Sequence, residues 1–490
     1  MKKKILTILL ALFVLLSGCG KQPENSNAWK DPVLVAFDVF AVNDLHGKLA
    51  DTDQQPGVDE LSTYLKQARE SGNVILLSTG DMWQGASESN LTNGLIVTDW
   101  MNELDFTAMT VGGHEFDWGE DKIRENLAAA EFPFLAINVY NRETNTRVEY
   151  CQSSVVVEIE GAQIGIIGAI GDCYYSISSA NTQDIYFKTG NELTALVKEE
   201  SAKLRREGVD FIIYTIHDGY DQNYAGSGVM EVKNRDLKAY YDGVLSNGYV
   251  DLVFEADTHY SYVLRDEFGV YHLQCGGNNQ GVSHAKVILD IANGEVMVPT
   301  AELLDAGKYS YLEDDPVVED LFEKYADAIA PATRFLGNNG QYRNRDAICQ
   351  LVAKLYCEKG VEKWGAEYDI VLGGGYISCR SPGYLPAGEV LYSHLQALLP
   401  FDNQIMLCSI KGRDLVNKFL ETDNEAYYIQ TTAYGEEIRD HIDPNETYYV
   451  ITDSYSAEYT YNRMTVIDTY DETTFARDLV AEYITGGGLG

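Results

Sequence analysis

Five short segments of the chain carry Asp and His at spacings that suit cation binding. They are Asn43-Asp44-Leu45-His46-Gly47, Gly80-Asp81, Gly112-Gly113-His114-Glu115-Phe116-Asp117, His217-Asp218-Gly219 and Asp257-Thr258-His259. Each follows a short β-branched or apolar run. In open α/β sheets, sites form beyond the carboxyl ends of the strands. Carboxylate and imidazole donors placed there suit Mn, Fe, Co, Zn or similar ions. Asp44 and His46 are two residues apart, and in strand-like backbone that spacing sends both side chains to one side. A single Asp-x-His or Gly-Asp arises by chance in many proteins, where it serves as a cap or a turn. Five such segments in order, each after a strand-like run, are far more specific.

The elements that must position these segments are legible from their periodicity. Residues 33–42, 74–77, 211–216 and 252–254 read as strands, and 59–70 and 193–207 read as helices. This alternation predicts an α/β architecture. Residues 154–160 and 163–169 flank Gly161-Ala162 as a hairpin. An acidic, helix-patterned stretch over 313–330 reads as a connector, with Asp314-Asp315-Pro316 at its start. Beyond it, a helix over 346–358 and strands over 369–372 and 447–452 predict a second α/β or α+β domain.

Length and charge agree with two domains and narrow the partners. The chain has 490 residues, too many for one ordinary core. Its net charge of −38 repels nucleic-acid polymers and anionic lipid. It does not exclude a small anionic substrate, because bound cations reverse the local field. Lys2, Lys3 and Lys4 precede an apolar run over 5–16 that is too short to span a bilayer. The run ends in Leu16-Ser17-Gly18-Cys19, which resembles a bacterial lipoprotein signal. That resemblance implies a signal peptide over 1–18, a lipid on Cys19 and a tether over 19–32. The chain would then be extracytoplasmic, at the cell surface or in the periplasm, and would meet the membrane through its anchor. The alternative is an ordinary signal peptide with an accidental cysteine. Cys151, Cys173, Cys275, Cys349, Cys357, Cys379 and Cys408 fall in no CxxC pair and read mostly as small core residues.

Taken together, the five segments resemble the 5′-nucleotidase / 2′,3′-cyclic phosphodiesterase family of two-domain calcineurin-like metallophosphoesterases. Segments of the family's types DxHG, GD, GNHEFD, H-x-G and GHTH occur in that order. The resemblance implies an N-terminal αββα sandwich over 33–300, a helical linker over 301–334 and a 5′-nucleotidase C-terminal-like α/β domain over 335–490. It implies that Asp44, His46 and His259 hold a first metal, that Asp81 bridges two metals and that His217 ligates the second. His114 would sit beside the scissile phosphate, oriented by Asp117. The cofactors would be two divalent ions, drawn from Mn, Zn, Co, Fe or Mg. The reaction would be hydrolysis of nucleotide phosphate esters by a metal-activated hydroxide.

Two departures bear on the second metal. Gly113 stands where the family has a ligating Asn. Ala256-Asp257 stands where it has Gly-His. Asp257 is expected to replace the missing imidazole, with water in the place of the Asn. A carboxylate there would harden the site toward Mn²⁺ or Mg²⁺. The contrary expectation is an empty second site.

In the C-terminal half, Leu372-Gly373-Gly374-Gly375 resembles the family's strand and Asn-Gly-Gly turn, with Leu372 in place of Asn. Ile377 stands where an Arg is usual, and Arg380 follows three residues on. Leu399-Pro400-Phe401-Asp402-Asn403 matches a PFxN stretch. The resemblance implies that Phe401 offers a stacking face to a base and Asn403 an edge hydrogen bond. Arg380 would pair with phosphate or carboxylate. Tyr455 or Tyr459 would be the second face of a base clamp. The plain alternatives are a core Phe401 and a solvated Arg380. The partner implied is a small phosphorylated substrate, a nucleotide, met by a monomer. Two other functions fit the same motifs: a binding or sensing lipoprotein with weak or no catalysis, and a phosphatase for a non-nucleotide ester.

Overall fold

The structure is a computed structural model. It describes residues 30–51, 56–178, 181–221, 229–232, 248–376, 379–380, 383–420, 427–433, 435–459, 463–471 and 473–489. The expected signal peptide, Cys19 and the tether up to residue 29 lie outside the described residues. Among the described residues, no helix is long and apolar enough to cross a membrane.

Six parallel or near-central strands carry the architecture of the first half. They are β1 (Leu34–Val42), β2 (Asn73–Ser78), β3 (Ala108–Thr110), β4 (Ala162–Ile170), β5 (Phe211–His217) and β6 (Leu252–Phe254). β1, β2 and β3 pair in parallel within a six-stranded sheet. β4, β5 and β6 pair in parallel within a seven-stranded sheet. Parallel pairing puts all six carboxyl ends on one rim, which is where chemistry-bearing loops can meet.

The strands are near-continuous apolar runs because both of their faces are covered. Val35, Phe37, Val39 and Ala41 of β1 pack against Ile164 and Ile166 of β4, Phe211 and Ile213 of β5, and Phe254 of β6. That layer is the core between the two sheets, and the Phe37 and Phe211 rings meet edge-on at 6.0 Å across it. The alternate residues Phe40 and Val42 turn to the other face, beneath Leu61, Leu65 and Trp100 of the outer helices. On the far side, Leu193, Val197 and Leu204 of the helix Gly190–Arg206 cover Ile212 and Tyr214. The result is the expected αββα sandwich.

The predicted hairpin forms, with Val157 opposite Ile164. The last strand of the first sheet, Glu295–Asp305, runs on past position 300. The connector is broken where the sequence predicts one helix. It comprises Val317–Lys324, Ala326–Ile329 and a short 3₁₀ turn over Ala330–Thr333. The break falls at Tyr325, whose hydroxyl and the neighbouring Lys324 ammonium both reach Asp99 at 2.6 Å. Docking onto the first domain decides the path there.

The second half is built on a five-stranded mixed sheet with the helix Arg345–Trp364 packed on it. Asn344 caps that helix by accepting from the Ala347 amide at 3.0 Å. The turn expected at Gly373–Gly375 is absent, because these glycines lie inside the strand Ile370–Tyr376. Close helix packing is the reason: a Cβ on Gly373 would come within 2.4 Å of the Cys357 amide nitrogen.

Candidate metal centre and active site

The loops after β1, β2, β3, β5 and β6 converge on one rim, and their backbone is unusual. Asp44 (φ 49°), His46 (φ 52°), Asp81 (φ 55°), Asp257 (φ 67°) and His259 (φ 56°) all adopt the left-handed region. This corrects the strand-like reading of the Asp44–His46 spacing. The two side chains converge through left-handed backbone at Asp44 and at His46, not through the alternation of a strand. Non-glycine residues there cost on the order of 1–3 kcal/mol each and cluster at functional sites. The surrounding structure holds them. The Asp44 amide donates to the Gly80 carbonyl and the His46 amide to the Asp81 carbonyl, each at 3.0 Å. Gly80 itself has φ +99°, and a Cβ there would come within 2.7 Å of the Gly112 amide nitrogen.

Glu115 does this holding from the centre, a role that sequence reasoning missed. It is fully buried. Its carboxylate accepts from the amides of Gly112 (2.7 Å), Asp81 (2.9 Å) and Met82 (2.8 Å). One side chain thus ties the β2 loop to the β3 loop. Burial, reinforced by Asp81, pushes its carboxyl up to about 7. Truncation in Glu115→Ala leaves three buried amides without acceptors, each costing about 1–3 kcal/mol. The variant should melt well below the parent in a calorimeter, by about 3 kcal/mol or more of stability. An unchanged melting temperature would show that these bonds do not hold the loops.

The donor atoms fall into three overlapping groups, each within 4.8 Å: Asp44, His46 and His259; Asp44, Asp81 and His217; and Cys173, His217 and Asp257. His46 Nε2 lies 3.0 Å from His259 Nε2, which in turn is 3.5 Å from Asp44 Oδ1. His217 Nε2 lies 3.2 Å from Asp81 Oδ2 and 4.0 Å from Asp44 Oδ1. Two histidines of these groups have their tautomer set by a backbone carbonyl, which can only accept. His46 Nδ1–H donates to Gln84 O at 3.0 Å and His217 Nδ1–H to Thr79 O at 2.7 Å. Their Nε2 lone pairs therefore face the cluster, as in metal sites where the outer ring nitrogen is anchored. His217 Nε2 is buried and has no aligned hydrogen-bond partner. These features fit the binding of a divalent cation.

Asp257 reaches the cluster in two ways. Its amide donates to both carboxylate oxygens of Asp44, at 3.2 and 3.1 Å. Its own carboxyl stands with His217 in the third group. Burial pushes that carboxyl up to about 6, with His217 opposing and Asp81 and Asp44 adding to the rise. Such crowding of buried carboxylates is what a bound cation relieves.

His114 sits on a 3₁₀ turn, His114–Phe116, just after β3. Its Nδ1–H donates to Asp117 Oδ2 at 2.8 Å, and its amide donates to Asp81 Oδ1 at 2.8 Å. Nε2 is left facing the cluster, 3.9 Å from Asp81 Oδ2. Burial pulls the imidazolium pKa down, but Asp117 and Asp81 more than offset it, so it lies above the usual histidine value.

The C-terminal half closes the site from above. The Arg380 Nη1–H donates to His46 Nε2 at 3.0 Å and its Nη2 donates to Gln84 Oε1. The Phe401 ring stacks on His114, with centroids 5.7 Å apart at 29°, and the Arg380 guanidinium lies 5.6 Å from the Phe401 centroid. His114, His259, Arg380, Phe401, Asn403 and Tyr455 all line one cleft of about 630 Å³. The Tyr459 side chain lies outside the described residues.

No sequence-family model matches the chain. UshA of Yersinia enterocolitica is 24% identical to it over 93% of this chain and 92% of that protein. An apyrase of Aedes albopictus is 30% identical over 238 residues, a match that spans 44% of this chain and 41% of the apyrase. A 5′-nucleotidase precursor from Thermus thermophilus superposes with a TM-score of 0.69 at 18% identity, covering 92% of this chain and 96% of that one. The chain thus shares the two-domain fold of that 5′-nucleotidase precursor, with a rim of Asp and His beneath a second α/β unit. Along most of its length the chain is also similar to a 5′-nucleotidase of Vibrio parahaemolyticus, 21% identical over 83% of this chain and 78% of that protein.

Proposed function

We propose that the chain is a metal-dependent phosphoric ester hydrolase that releases phosphate from nucleotides, as a 5′-nucleotidase, a 2′,3′-cyclic phosphodiesterase or both. The observation that carries this reading is the His114–Asp117 pair beside the Asp44/His46/Asp81/His217/His259 donor cluster, at the floor of a cleft shared by both domains.

Asp44, His46 and His259 would hold one cation, Asp81 would lie between two, and His217 with Asp257 would hold the other. Bound there, two divalent cations supply Lewis acidity to the phosphoryl oxygens and lower the pKa of water. His114 Nε2 is oriented to stabilise charge on the phosphoryl group or to protonate the leaving oxygen. Asp117 fixes the ring and raises its basicity. Arg380 offers a planar fork to the phosphate. Phe401 and Tyr455 would contact the base and Asn403 its edge. The lipoprotein-like leader supports an activity outside the cytoplasm, on a lipid anchor at Cys19.

One observation favours a second reading, a non-nucleotide phosphate ester as substrate. Phe401 stacks on His114 at the phosphate end of the cleft, where its ring is not free to serve as a distant base platform. A phosphate-release panel decides between the two. It would contain mono-, di- and cyclic nucleotides beside simple sugar and alkyl phosphates, each with Mn²⁺, Zn²⁺, Co²⁺ and Mg²⁺. Preferential release from nucleotides is the expected result. Preference for the simple esters would move the assignment to the second reading, and no turnover with any metal would overturn both.

A further inference from the structure

We propose that Cys173 is a ligand of the second metal, standing in for the side chain that Gly113 lacks, so that this site is an Asp81/His217/Asp257/Cys173 set. The proposal rests on the two-metal reading above and specifies its less typical half.

Cys173 belongs to a sixth loop on the same rim. β4 ends at Ile170, and the 3₁₀ turn Asp172–Ser176 follows directly. The turn is fastened to the β5 loop. The Asp172 amide donates to Asp218 Oδ2 at 2.6 Å, and the Cys173 thiol donates to the His217 carbonyl at 3.4 Å. Cys173 Sγ, His217 and Asp257 offer ligand atoms within 4.8 Å of one another. A Cβ built on Gly113 would meet Cys173 Sγ at 3.9 Å and Ile177 Cγ1 at 3.7 Å, and nothing closer. The sulfur therefore borders the space into which a side chain at position 113 would project. His217 Nε2 is fully buried beside it, 3.2 Å from Asp81 Oδ2 but without an aligned hydrogen bond to it. The thiol packs at the edge of the apolar core, beside Ile170 and Ile177, and its sulfur borders the His217 and Asp257 donor atoms.

The chemistry reverses the hard-ion preference that Asp257 alone would give. On binding, the Cys173 S–H bond breaks, its proton leaves to solvent, and the thiolate lone pair forms the metal–sulfur bond. One sulfur, one imidazole nitrogen and two carboxylates make a mixed soft and hard set. Zn²⁺ accepts such a set in tetrahedral geometry, whereas Mn²⁺ and Mg²⁺ prefer all-oxygen surroundings.

The test uses the metal-stripped protein reloaded with Co²⁺. A thiolate-to-cobalt charge-transfer band in the near ultraviolet is expected, saturating with the second equivalent. Cys173→Ser should abolish the band while retaining the melting transition, and Cys151→Ser, at a buried thiol outside the cluster, should leave it intact. Gly113→Asn should weaken the band without altering Cys173, because its amide oxygen competes for the same position. That variant keeps the proposal falsifiable if Cys173→Ser fails to fold. Zn²⁺ should also bind Cys173→Ser at least about tenfold more weakly, since even groups that merely orient metal ligands cost about 10–100-fold when removed. No band at two Co²⁺ per chain, or an unchanged band in Cys173→Ser, overturns the proposal. Phosphate release with Co²⁺ but without the band sinks the cysteine ligand alone. A cysteine-dependent band with no phosphate release under any metal sinks the hydrolase reading and leaves the ligand standing.

Discussion

His114→Ala should release phosphate about 10²–10⁴-fold more slowly than the parent, with metal content unchanged. His114 makes no ligand contact within the three donor groups, so its loss removes charge stabilisation and proton donation while the cations stay. Steady-state phosphate release alongside metal analysis of the same sample checks both halves. A small rate effect, or a parallel loss of metal, would deny it the role at the leaving oxygen. Asp117→Asn gives the pH signature. Asp117 and Asp81 hold the His114 pKa above the usual value against the pull of burial. A protonated His114 is lost as pH rises through that pKa, so this limb of the kcat profile falls on the alkaline side. Without the Asp117 charge the pKa drops, and the fall should begin at lower pH. An unmoved limb would separate Asp117 from the proton on His114.

Removing divalent cations should lower the melting temperature by on the order of 10 °C. A site filled at a hundredfold excess over its Kd contributes about 2.7 kcal/mol, and two such sites about twice that. Each kcal/mol shifts Tm by roughly 2–4 °C for domains of about 150–250 residues. The physical source is visible in the cluster, where Asp44, Asp81 and Asp257 are crowded and largely buried around His217. Asp257→Asn separates repulsion from coordination. Burial holds the Asp257 carboxyl up at about 6, so its ionised form is penalised in the fold. Above about pH 6 the cation-free Asp257→Asn protein should melt higher than the cation-free parent, and the gain should shrink as pH falls below that value, vanishing only below the ordinary carboxylate range near about 4. Its melting temperature should also rise less with added metal. Scanning calorimetry with and without chelator at pH 8 and pH 5 reads all three effects. A cation-free variant no more stable than its parent at pH 8 would deny the repulsion.

The strand-end Asp and His motifs are legible because each is local: a short apolar run, then a polar turn, with the parallel sheets bringing the ends together. The α/β class follows from the same runs, such as the largely apolar 211–216, whereas the αββα layering is an expectation of the family resemblance. What sequence does not carry depends on tertiary neighbours. Glu115 looks like any acidic residue in a turn until three amides from two loops are found around it. Cys173 reads as one more small core residue because nothing in its own stretch announces a ligand. Only the convergence of the β4 and β5 loops brings it to His217 and Asp257. The Gly373–Gly375 run reads as a turn because glycine serves turns and tight helix–sheet contacts alike, and sequence does not say which. The left-handed φ angles of Asp44 and His46 are a property of the hydrogen-bonded rim, not of those two residue types alone.

The contact between Arg380 and His46 Nε2 carries a consequence for the order of events at this site. The nitrogen that accepts from the arginine is the same lone pair a first cation would take. A guanidinium and a divalent ion cannot share it. A cation held by His46 would therefore displace the Arg380 guanidinium, a side chain of the second half, from this contact. A phosphate dianion is the group that can face the cations on one side and the displaced arginine on the other. Bound substrate would then serve as the electrostatic mortar between a metal-loaded rim and the cationic side chain facing it.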